Sequence, residues 1–358
     1  MSQDIRDFVT PSCDLLGLGE PTHATPVFAE VRNDLFAQLV DRGFRSIALE
    51  TDRVAALVAN DFVQDGTGTL DLAMSEGFSH DFGALEANRR LIAWLREYNE
   101  NRPPGERLSF HGFDAPTETF SAPSPRQYLE YADRYLGSSQ DIAKVAGDDE
   151  RWSRTEAVMD PAESPGATAD AYRLRAIASD LLTALRARKP DVGWSRAELH
   201  LMAGIDLLRY HRQCAEPLDQ GERYQRLSAV RDAIMARNLL DIRAAEAGRG
   251  ATMVFSHNLH LRRTGTDAAG GLVSPLLGDR YTFVASTLGR SEAMGLQAPE
   301  ADTYEGFLRK HIITDWGLLP AAEVPPARVR TDPTPQQGYF PLGQALLDDA
   351  DVILHVEG

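Results

Sequence analysis

Residues 15–20 have the sequence LLGLGE, an apolar run that ends in the carboxylate Glu20, and His23 follows three positions later. Three further stretches share this pattern of a short apolar strand that ends in an acid or a histidine: 47–50, 108–114 and 253–257. In an open parallel sheet the carboxyl ends of the strands lie along one edge, where ligands bind in α/β folds. The pattern therefore predicts a parallel sheet whose ionisable strand ends meet in one crevice.

The order of strand and helix patterns predicts an α/β core with an insertion. Residues 1–115 alternate the two patterns, which favours a parallel sheet with right-handed crossovers. From 116 to 248 helical periodicity dominates, and strand patterns return at 251–256, 280–287 and 351–356. We expect a core of residues 1–115 and 249–358, in which helices flank a mostly parallel sheet. Residues 116–248 are expected to form a helical cap over the carboxyl ends of the strands.

Composition narrows the class of protein. The 358 residues are 43% hydrophobic and 25% charged, which is ordinary for a globular protein. The formal net charge of −16 argues against nucleic acid or an anionic membrane surface as a partner. The N-terminus does not resemble a signal peptide, and Cys13 and Cys214 are too few for a disulfide framework. These features predict a soluble cytoplasmic protein, and they leave its oligomeric state open.

Residues 19–23, Gly-Glu-Pro-Thr-His, form the sharpest local motif. The glycine lets the backbone leave the strand tightly, so that Glu20 and His23 face the same space. A histidine beside a carboxylate can be held in one tautomer and act as a general base at neutral pH. The alternative interpretation is a helix-capping turn whose histidine is only solvated.

Arg32 is placed by helical periodicity near the middle of the apolar face of a helix over about residues 26–42. A buried guanidinium needs a partner because it does not release its proton. Glu20 and Glu50, both at strand ends beside this helix, are the expected partners. Such a pair either stabilises negative charge during acyl transfer and orients His23, or only ties the helix to the sheet.

Residues 257–260, His-Asn-Leu-His, place two imidazoles three positions apart just beyond a strand. His257 and His260 could join Glu20 and His23 as metal ligands, but the chain lacks the HExxH and paired-cysteine motifs of common zinc sites. Asn258 is either an amide donor to the substrate or a turn residue.

The motifs of several common catalytic classes are missing from the sequence. There is no Gly-x-Ser-x-Gly elbow, no GxGxxG and no Walker loop. His80 and His111 show no acidic or nucleophilic neighbours at a telling spacing, and we interpret them as structural. Direct activation of water by a histidine is the chemistry that remains, and no cofactor is expected.

Seven motifs in this order resemble those of the erythromycin esterase family. They are Gly-Glu-x-x-His at 19–23, Arg32, Glu50 at a strand end, Trp-Leu-Arg-x-x-Asn at 94–99, Gly-x-Asp at 112–114, Arg-Asp-x-x-Met-x-x-Asn at 231–238 and His-Asn-x-His at 257–260. The resemblance implies an α/β core with a helical cap. It also implies attack of water on an ester carbonyl without an added metal.

The resemblance assigns roles by position. His23 is the general base, Glu20 and Glu50 orient or polarise it, Arg32 pairs with these acids, and His257 lines the same pocket. The substrate-binding residues that it implies are His260, Asn258 and Asp114.

The chain departs from the macrolide-active members of that family at residue 87. Those members often carry a glutamate seven positions before the Trp of the Trp-Leu-Arg motif, where this chain has Ala87. Macrolide hydrolysis is therefore one hypothesis, and hydrolysis of another small-molecule ester is a second. A metal-dependent hydrolase that uses Glu20, His23, His257 and His260 is an alternative. Another is a biosynthetic enzyme of this family that catalyses cyclisation or dehydration.

Overall fold

The strands form one mostly parallel sheet in the computed structural model, which describes residues 2–312 and 314–358. They are β1 (Leu15–Glu20), β2 (Phe44–Asp52), β3 (Ser109–Asp114), β4 (Ala251–His257), β5 (Tyr281–Leu288), β6 (Trp316–Pro320) and β7 (Val352–Val356). Their order is β3-β2-β4-β1-β5-β7-β6, and only the edge strand β6 pairs antiparallel within the described residues. This arrangement confirms the predicted α/β class.

Helices surround the sheet and fill the segment between β3 and β4. Before that segment lie α1 (Val27–Val40), α2 (Ala56–Asp65), α3 (Leu70–Glu76) and α4 (Glu86–Asn99). Within it lie α5 (Arg126–Leu136), α6 (Ile142–Ala146), α7 (Glu150–Ser153), α8 (Thr155–Met159), α9 (Ala169–Ala187), α10 (Trp194–Cys214) and α11 (Gln220–Ala245). After it lie α12 (Asn258–Leu261), α13 (Ala269–Leu277), α14 (Tyr304–His311) and α15 (Gln344–Asp349). Among these helices none has the length and apolar character to cross a membrane.

Short 3₁₀ turns join several of these elements. They are Ile5–Asp7, Phe82–Ala84, Pro104–Glu106, Pro165–Ala167, Gly278–Arg280, Ala321–Glu323 and Pro335–Gln337.

The central strands are buried on both faces, as strands of parallel sheets usually are. Leu16 and Leu18 of β1 join a core that includes residues of α1, α2 and α4. Leu15 of the same strand points to the opposite core, which includes residues of α11, α13 and α14. This burial on both faces explains why the strands appear in the sequence as short continuous apolar runs.

The segment 116–248 is helical, in agreement with its periodicity. Helices α5, α9 and α10 share a core of their own, which includes Trp152 and Leu201. The long helix α11 differs, because Met235 and Leu239 join the core of the sheet instead. Helix α11 thus ties the helical segment to the α/β core.

Asn258 holds three neighbouring strands together at their carboxyl ends. It follows β4, reaches across β1 at Gly19, and forms two hydrogen bonds with the backbone of Ser286 in β5, at 2.9 and 3.0 Å. Only 1% of Asn258 is exposed. Its amide group binds the backbone of β5, so the expectation that Asn258 donates to substrate is corrected, and its role in linking the strands was not predicted.

We predict that Gly19→Ala destabilises the protein by about 1–3 kcal/mol, the usual cost of overpacking. A Cβ at position 19 would lie 2.2 Å from Oδ1 and 3.0 Å from Cα of Asn258. Urea denaturation measures the change, and Gly105→Ala is the control because a Cβ there meets nothing within 4 Å. Equal stability of the two variants would contradict this account of the strand ends.

Candidate active site

Four of the predicted site residues lie at the ends of neighbouring strands. They are Glu20 at the end of β1, Glu50 near the end of β2, Asp114 at the end of β3 and His257 at the end of β4. The rings of His23 and His257 are 5.5 Å apart between centroids. His23, Glu50, His257 and His260 line one cavity of about 1080 Å³. The structure therefore brings together ionisable groups from distant parts of the chain.

His23 is held in one orientation by Glu20. Its Nδ1 donates to Oε1 of the buried Glu20 over 2.7 Å, which leaves the lone pair on Nε2. The Nε2 atom lies 3.8 Å from Oε1 of Glu50, and 39% of the side chain is exposed. Burial opposes charge on this ring, but Glu20 and Glu50 outweigh it and raise the pKa of His23 above its usual 6.5. The arrangement is that of an oriented base that can reach solvent.

Glu50 is a buried carboxylate whose two oxygens face different groups. Oε2 accepts from Ser256 Oγ at 2.6 Å and from the backbone N–H of His257 at 2.9 Å. Oε1 accepts from Arg231 Nη2 at 2.9 Å. Burial opposes ionisation, but His260, Arg231 and His23 outweigh it and hold the pKa of Glu50 well below 4.5. Glu50 is therefore ionised at neutral pH.

His260 forms a second histidine–carboxylate pair. Its Nδ1 lies 2.8 Å from Oδ1 of the buried Asp232, which also accepts from the backbone N–H of Ala269 at 2.9 Å. The opposite ring nitrogen, Nε2, lies 3.6 Å from Oε1 of Glu50. Burial opposes charge, but Glu50 and Asp232 raise the pKa of His260 above 6.5. His23 and His260 thus approach the same carboxylate oxygen.

His257 differs from these two histidines because no carboxylate holds its ring. Its Nδ1 accepts from the backbone N–H of Leu259, so the proton is on Nε2. This Nε2 is buried without a hydrogen-bond partner in the described chain, although the carbonyl of Pro21 lies nearby. Burial, reinforced by His23, lowers the pKa of His257 to about 4. His257 is therefore neutral, and its ring lines the cavity while its Nε2–H is buried.

The cation that meets the buried acids is Arg231 and not Arg32. Arg231 of α11 donates from Nε and Nη2 to Asp114 at 2.9 and 2.6 Å, in addition to its bond with Glu50. Arg32 is 1% exposed and donates to Oδ1 of Asn33, with no carboxylate at ion-pairing distance in the described residues. The predicted ion pair of Arg32 with Glu20 or Glu50 is therefore wrong.

The buried position of Arg32 was predicted correctly, although its partner was not. Its Cζ lies 4.9 Å from the centre of the Phe255 ring, which faces its positive charge. Burial lowers the pKa of Arg32 to about 9, and the more distant charge of Glu20 opposes that change. Arg32 thus borders the acids from the helix side without pairing with them.

Asp114 holds Arg231 in place and does not line the cavity that contains His23. Its side chain is fully buried and accepts from Arg231, from His80 Nε2 at 2.9 Å and from the backbone N–H of Ala115 at 2.7 Å. The predicted substrate-binding role of Asp114 is therefore corrected, because no oxygen of this carboxylate is left to meet a ligand.

His80 is a member of this network that the sequence analysis interpreted as merely structural. It bridges Asp114 and Glu118, with 2.7 Å between Nδ1 and Oε2 of Glu118. Burial opposes its charge, but the two acids raise its pKa to about 9. Its φ of 57° lies in the left-handed region, as does that of Asp81. No spacing pattern signals His80, because Asp114 lies on a strand 34 positions later.

The four ligands of the metal hypothesis do not converge on a common point. Glu20 is bonded to Nδ1 of His23, and Nδ1 of His257 accepts from the backbone. Within residues 2–312 and 314–358 no group of three or more histidine, cysteine, aspartate or glutamate side chains is arranged to hold a metal ion.

The fold and the site together define an α/β protein whose strand-end acids and histidines line a cavity at the carboxyl edge of the sheet. Residues 39–351 match the family model described as erythromycin esterase. The chain belongs to the erythromycin esterase family, which confirms the resemblance found in its motifs. No curated protein matches the chain in sequence.

Several solved structures share this fold. A Bacillus cereus protein is 16% identical with a TM-score of 0.71, and the match covers 100% of this chain and 92% of that one. A histidine-to-asparagine mutant of erythromycin esterase EreC, in its open conformation, is 18% identical with a TM-score of 0.70, over 99% and 95%. A succinoglycan biosynthesis protein is 18% identical with a TM-score of 0.67, over 97% and 88%. At these identities the likeness shows the fold.

We predict that Arg231→Met destabilises the protein by about 3–5 kcal/mol at pH 7, because it leaves two buried carboxylates without their cation. The native pKa values of Glu50 and Asp114 are depressed, so the stability they contribute is present at neutral pH and is lost as pH falls through those values. The difference between wild type and variant should therefore shrink below about pH 4.

Urea denaturation across this pH range tests the prediction. Arg226→Met is the matched control, because Arg226 lies on the same helix and lines the cavity but is exposed and makes no ion pair in the described chain. We expect the control to stay within about 0.5 kcal/mol of wild type. A constant difference between Arg231→Met and wild type at all pH values would contradict the assignment.

Proposed function

We propose that the protein hydrolyses an ester or lactone bond of a small molecule, with His23 as the general base that activates water. The observation that carries the proposal is the geometry of His23, whose Nδ1 is bonded to Glu20 and whose Nε2 faces the cavity 3.8 Å from Glu50. Membership of the erythromycin esterase family supports the reaction class.

The nucleophilic water would lie between His23 and Glu50. Two acceptors 3.8 Å apart, Nε2 of His23 and Oε1 of Glu50, suit a water that donates one hydrogen to each. As the water oxygen attacks the carbonyl carbon, its proton moves to Nε2, and Glu20 stabilises the imidazolium that forms. The imidazolium then returns the proton to the leaving alcohol as the C–O bond breaks.

The negative charge of the tetrahedral intermediate would be met by His257. Its ring lines the cavity, its buried Nε2–H has no hydrogen-bond partner in the described residues, and its low pKa keeps the ring neutral. Such a donor would stabilise a developing oxyanion that reaches it. His260, which lies between Asp232 and Glu50, would supply positive potential nearby when it is protonated, in addition to the substrate contact implied by its place in the cavity.

The size and walls of the cavity support a bulky substrate. Its volume of about 1080 Å³ is at the upper end of the roughly 300–1,000 Å³ usual for small-molecule sites. The walls come from the strand ends and from residues 222–232 of α11, which supports the proposal that the helical segment caps the site. Macrolide lactones are one candidate substrate class. The proposed reaction would let the protein inactivate or process such a molecule in the cytoplasm.

We predict that His23→Asn lowers kcat/KM by about 10²–10⁴-fold, the usual contribution of a positioned general base. A panel of esters that includes a macrolide identifies a substrate, and the fold is checked by circular dichroism. His311→Asn is the control, because His311 is exposed on α14 outside the cavity. Turnover of His23→Asn at the wild-type rate would refute the assignment.

The products separate hydrolysis from the other reactions of this site. In ¹⁸O-labelled water a hydrolase places one labelled oxygen in the acid product for each ester consumed. A cyclisation or dehydration that used the same base would release product without that label.

We predict an acid limb in the pH profile of kcat/KM at a pH above 6.5, because the reaction needs neutral His23 and its pKa is raised. Glu20→Gln removes the charge that supports the imidazolium, so the limb should move to lower pH and the plateau should fall. Initial rates from pH 5 to 9 measure both effects. An unmoved limb in Glu20→Gln would show that another group controls the acid side.

A further inference from the structure

A short segment, residues 338–342, crosses the wall of the cavity beside His257. We call these five residues, Gly-Tyr-Phe-Pro-Leu, the strap. The backbone N–H of Phe340 donates to the carbonyl of Pro21 over 3.0 Å, which docks the strap on the turn between Glu20 and His23. The Phe340 ring contacts the His257 ring edge to face, with centroids 5.0 Å apart and planes at 79°.

Phe340 presents an apolar surface to the cavity. The ring lines the cavity and is 49% exposed, which is unusual for a phenylalanine held by a neighbouring ring. Because the His257 and Phe340 rings are in contact and line the same cavity, Phe340 would border the carbonyl group of a substrate bound next to His257. An apolar acyl chain next to that carbonyl would cover the exposed face of the Phe340 ring. Burial of these two apolar surfaces would favour binding of the substrate.

The strap is anchored from behind by Glu305 of α14. Glu305 is 0% exposed, and its Oε1 accepts from the Tyr339 hydroxyl and from the backbone N–H of Leu342, both at 2.9 Å. These two donors flank Phe340 in the chain, so a single oxygen fixes both sides of the exposed ring. The second oxygen, Oε2, has no partner in the described residues.

Two further contacts fix the strap to the end of β5. The Tyr339 hydroxyl accepts from the backbone N–H of Leu288 at 3.3 Å. The buried guanidinium of Arg330 lies 5.5 Å from the centre of the Tyr339 ring and donates to the carbonyls of Leu288 and Gly289. A buried carboxylate with an unused oxygen is costly for a fold, and here it holds the segment that shapes the cavity.

We propose that Phe340 is a specificity-determining contact for the acyl group of the substrate and that Glu305 is the positioning residue that holds it. The inference rests on the proposed ester hydrolysis and names the substrate class more closely. The preferred esters carry an extended apolar acyl group next to the carbonyl.

Chain-length preference tests the contact. The probes are 4-nitrophenyl acetate and 4-nitrophenyl hexanoate, with the matching 4-nitrophenyl ketones as ligands that cannot be hydrolysed. We expect the six-carbon probe to have the lower KM, and its ketone the lower Kd, with wild type. In Phe340→Ala the ratio between the two-carbon and six-carbon values should fall about tenfold, because each buried methylene is worth roughly fourfold in affinity. Phe120→Ala is the control, because Phe120 is similarly exposed, at 47%, but does not line the cavity.

Glu305→Leu should reproduce the loss, whereas Glu305→Gln should keep the preference because its amide oxygen accepts the same two hydrogen bonds. The double variant Glu305→Leu, Phe340→Ala should show the same chain-length preference as Phe340→Ala alone, because both substitutions remove the same contact with the substrate. Hydrogen exchange gives a readout of anchoring that does not depend on activity. The amides of Phe340 and Leu342 should exchange at least about tenfold faster in Glu305→Leu and at the wild-type rate in Glu305→Gln.

The two proposals fail separately. An unchanged preference in Phe340→Ala, or unchanged exchange in Glu305→Leu, would overturn this inference whether or not esters are hydrolysed. Absence of ester turnover, with ketones that still bind by chain length through Phe340, would overturn hydrolysis and leave the contact standing.

Discussion

The negative charge of Glu50, buried at the meeting point of β2, β4 and α11, is the constraint on which the site depends. A carboxylate without water must be met by donors, and Ser256, the His257 backbone and Arg231 supply them. The first two donors belong to β4 and the third to α11, so satisfying this one group fixes the ends of β2 and β4 against the long helix. The same carboxylate then stands within 4 Å of His23 and His260. Glu50 therefore both links the strand ends to α11 and lies next to two histidines of the site.

Arg231 extends the constraint to a third strand. Arg231 forms ion pairs with both Glu50 and Asp114, and Asp114 also pairs with His80. Removing one member of such a chain leaves its neighbour buried with an uncompensated charge, which costs far more than the loss of a surface ion pair. Adjacent positions on a helix point about 100° apart, so Arg231 faces the acids while Asp232 faces His260. Helix α11 therefore positions both sides of the site.

The sequence predicted the parts of this arrangement that follow from period and topology. Apolar runs predicted every strand except the antiparallel edge strand β6, and the acids and histidines at the strand ends meet at one edge because parallel strands end together. It did not predict the partners of individual polar groups. The apolar face of α1 showed that Arg32 is buried, but depth does not say which side chain a guanidinium reaches. The partners of Asn258, Asp114 and His80 were not predicted for the same reason, because they lie on elements that are distant in sequence.

The charge state of the histidines is the property that the sequence predicts least, because the three imidazoles are chemically identical and differ only in their surroundings. Carboxylates hold His23 and His260, and their pKa values rise. His257 lies a few ångströms away without a carboxylate of its own, and its pKa falls to about 4. The site therefore combines two histidines whose charged form the carboxylates favour with a third that stays neutral. Divergent pKa values among neighbouring groups allow distinct acid, base and electrostatic roles to coexist. The acids that separate these values are the same ones that the fold has to bury.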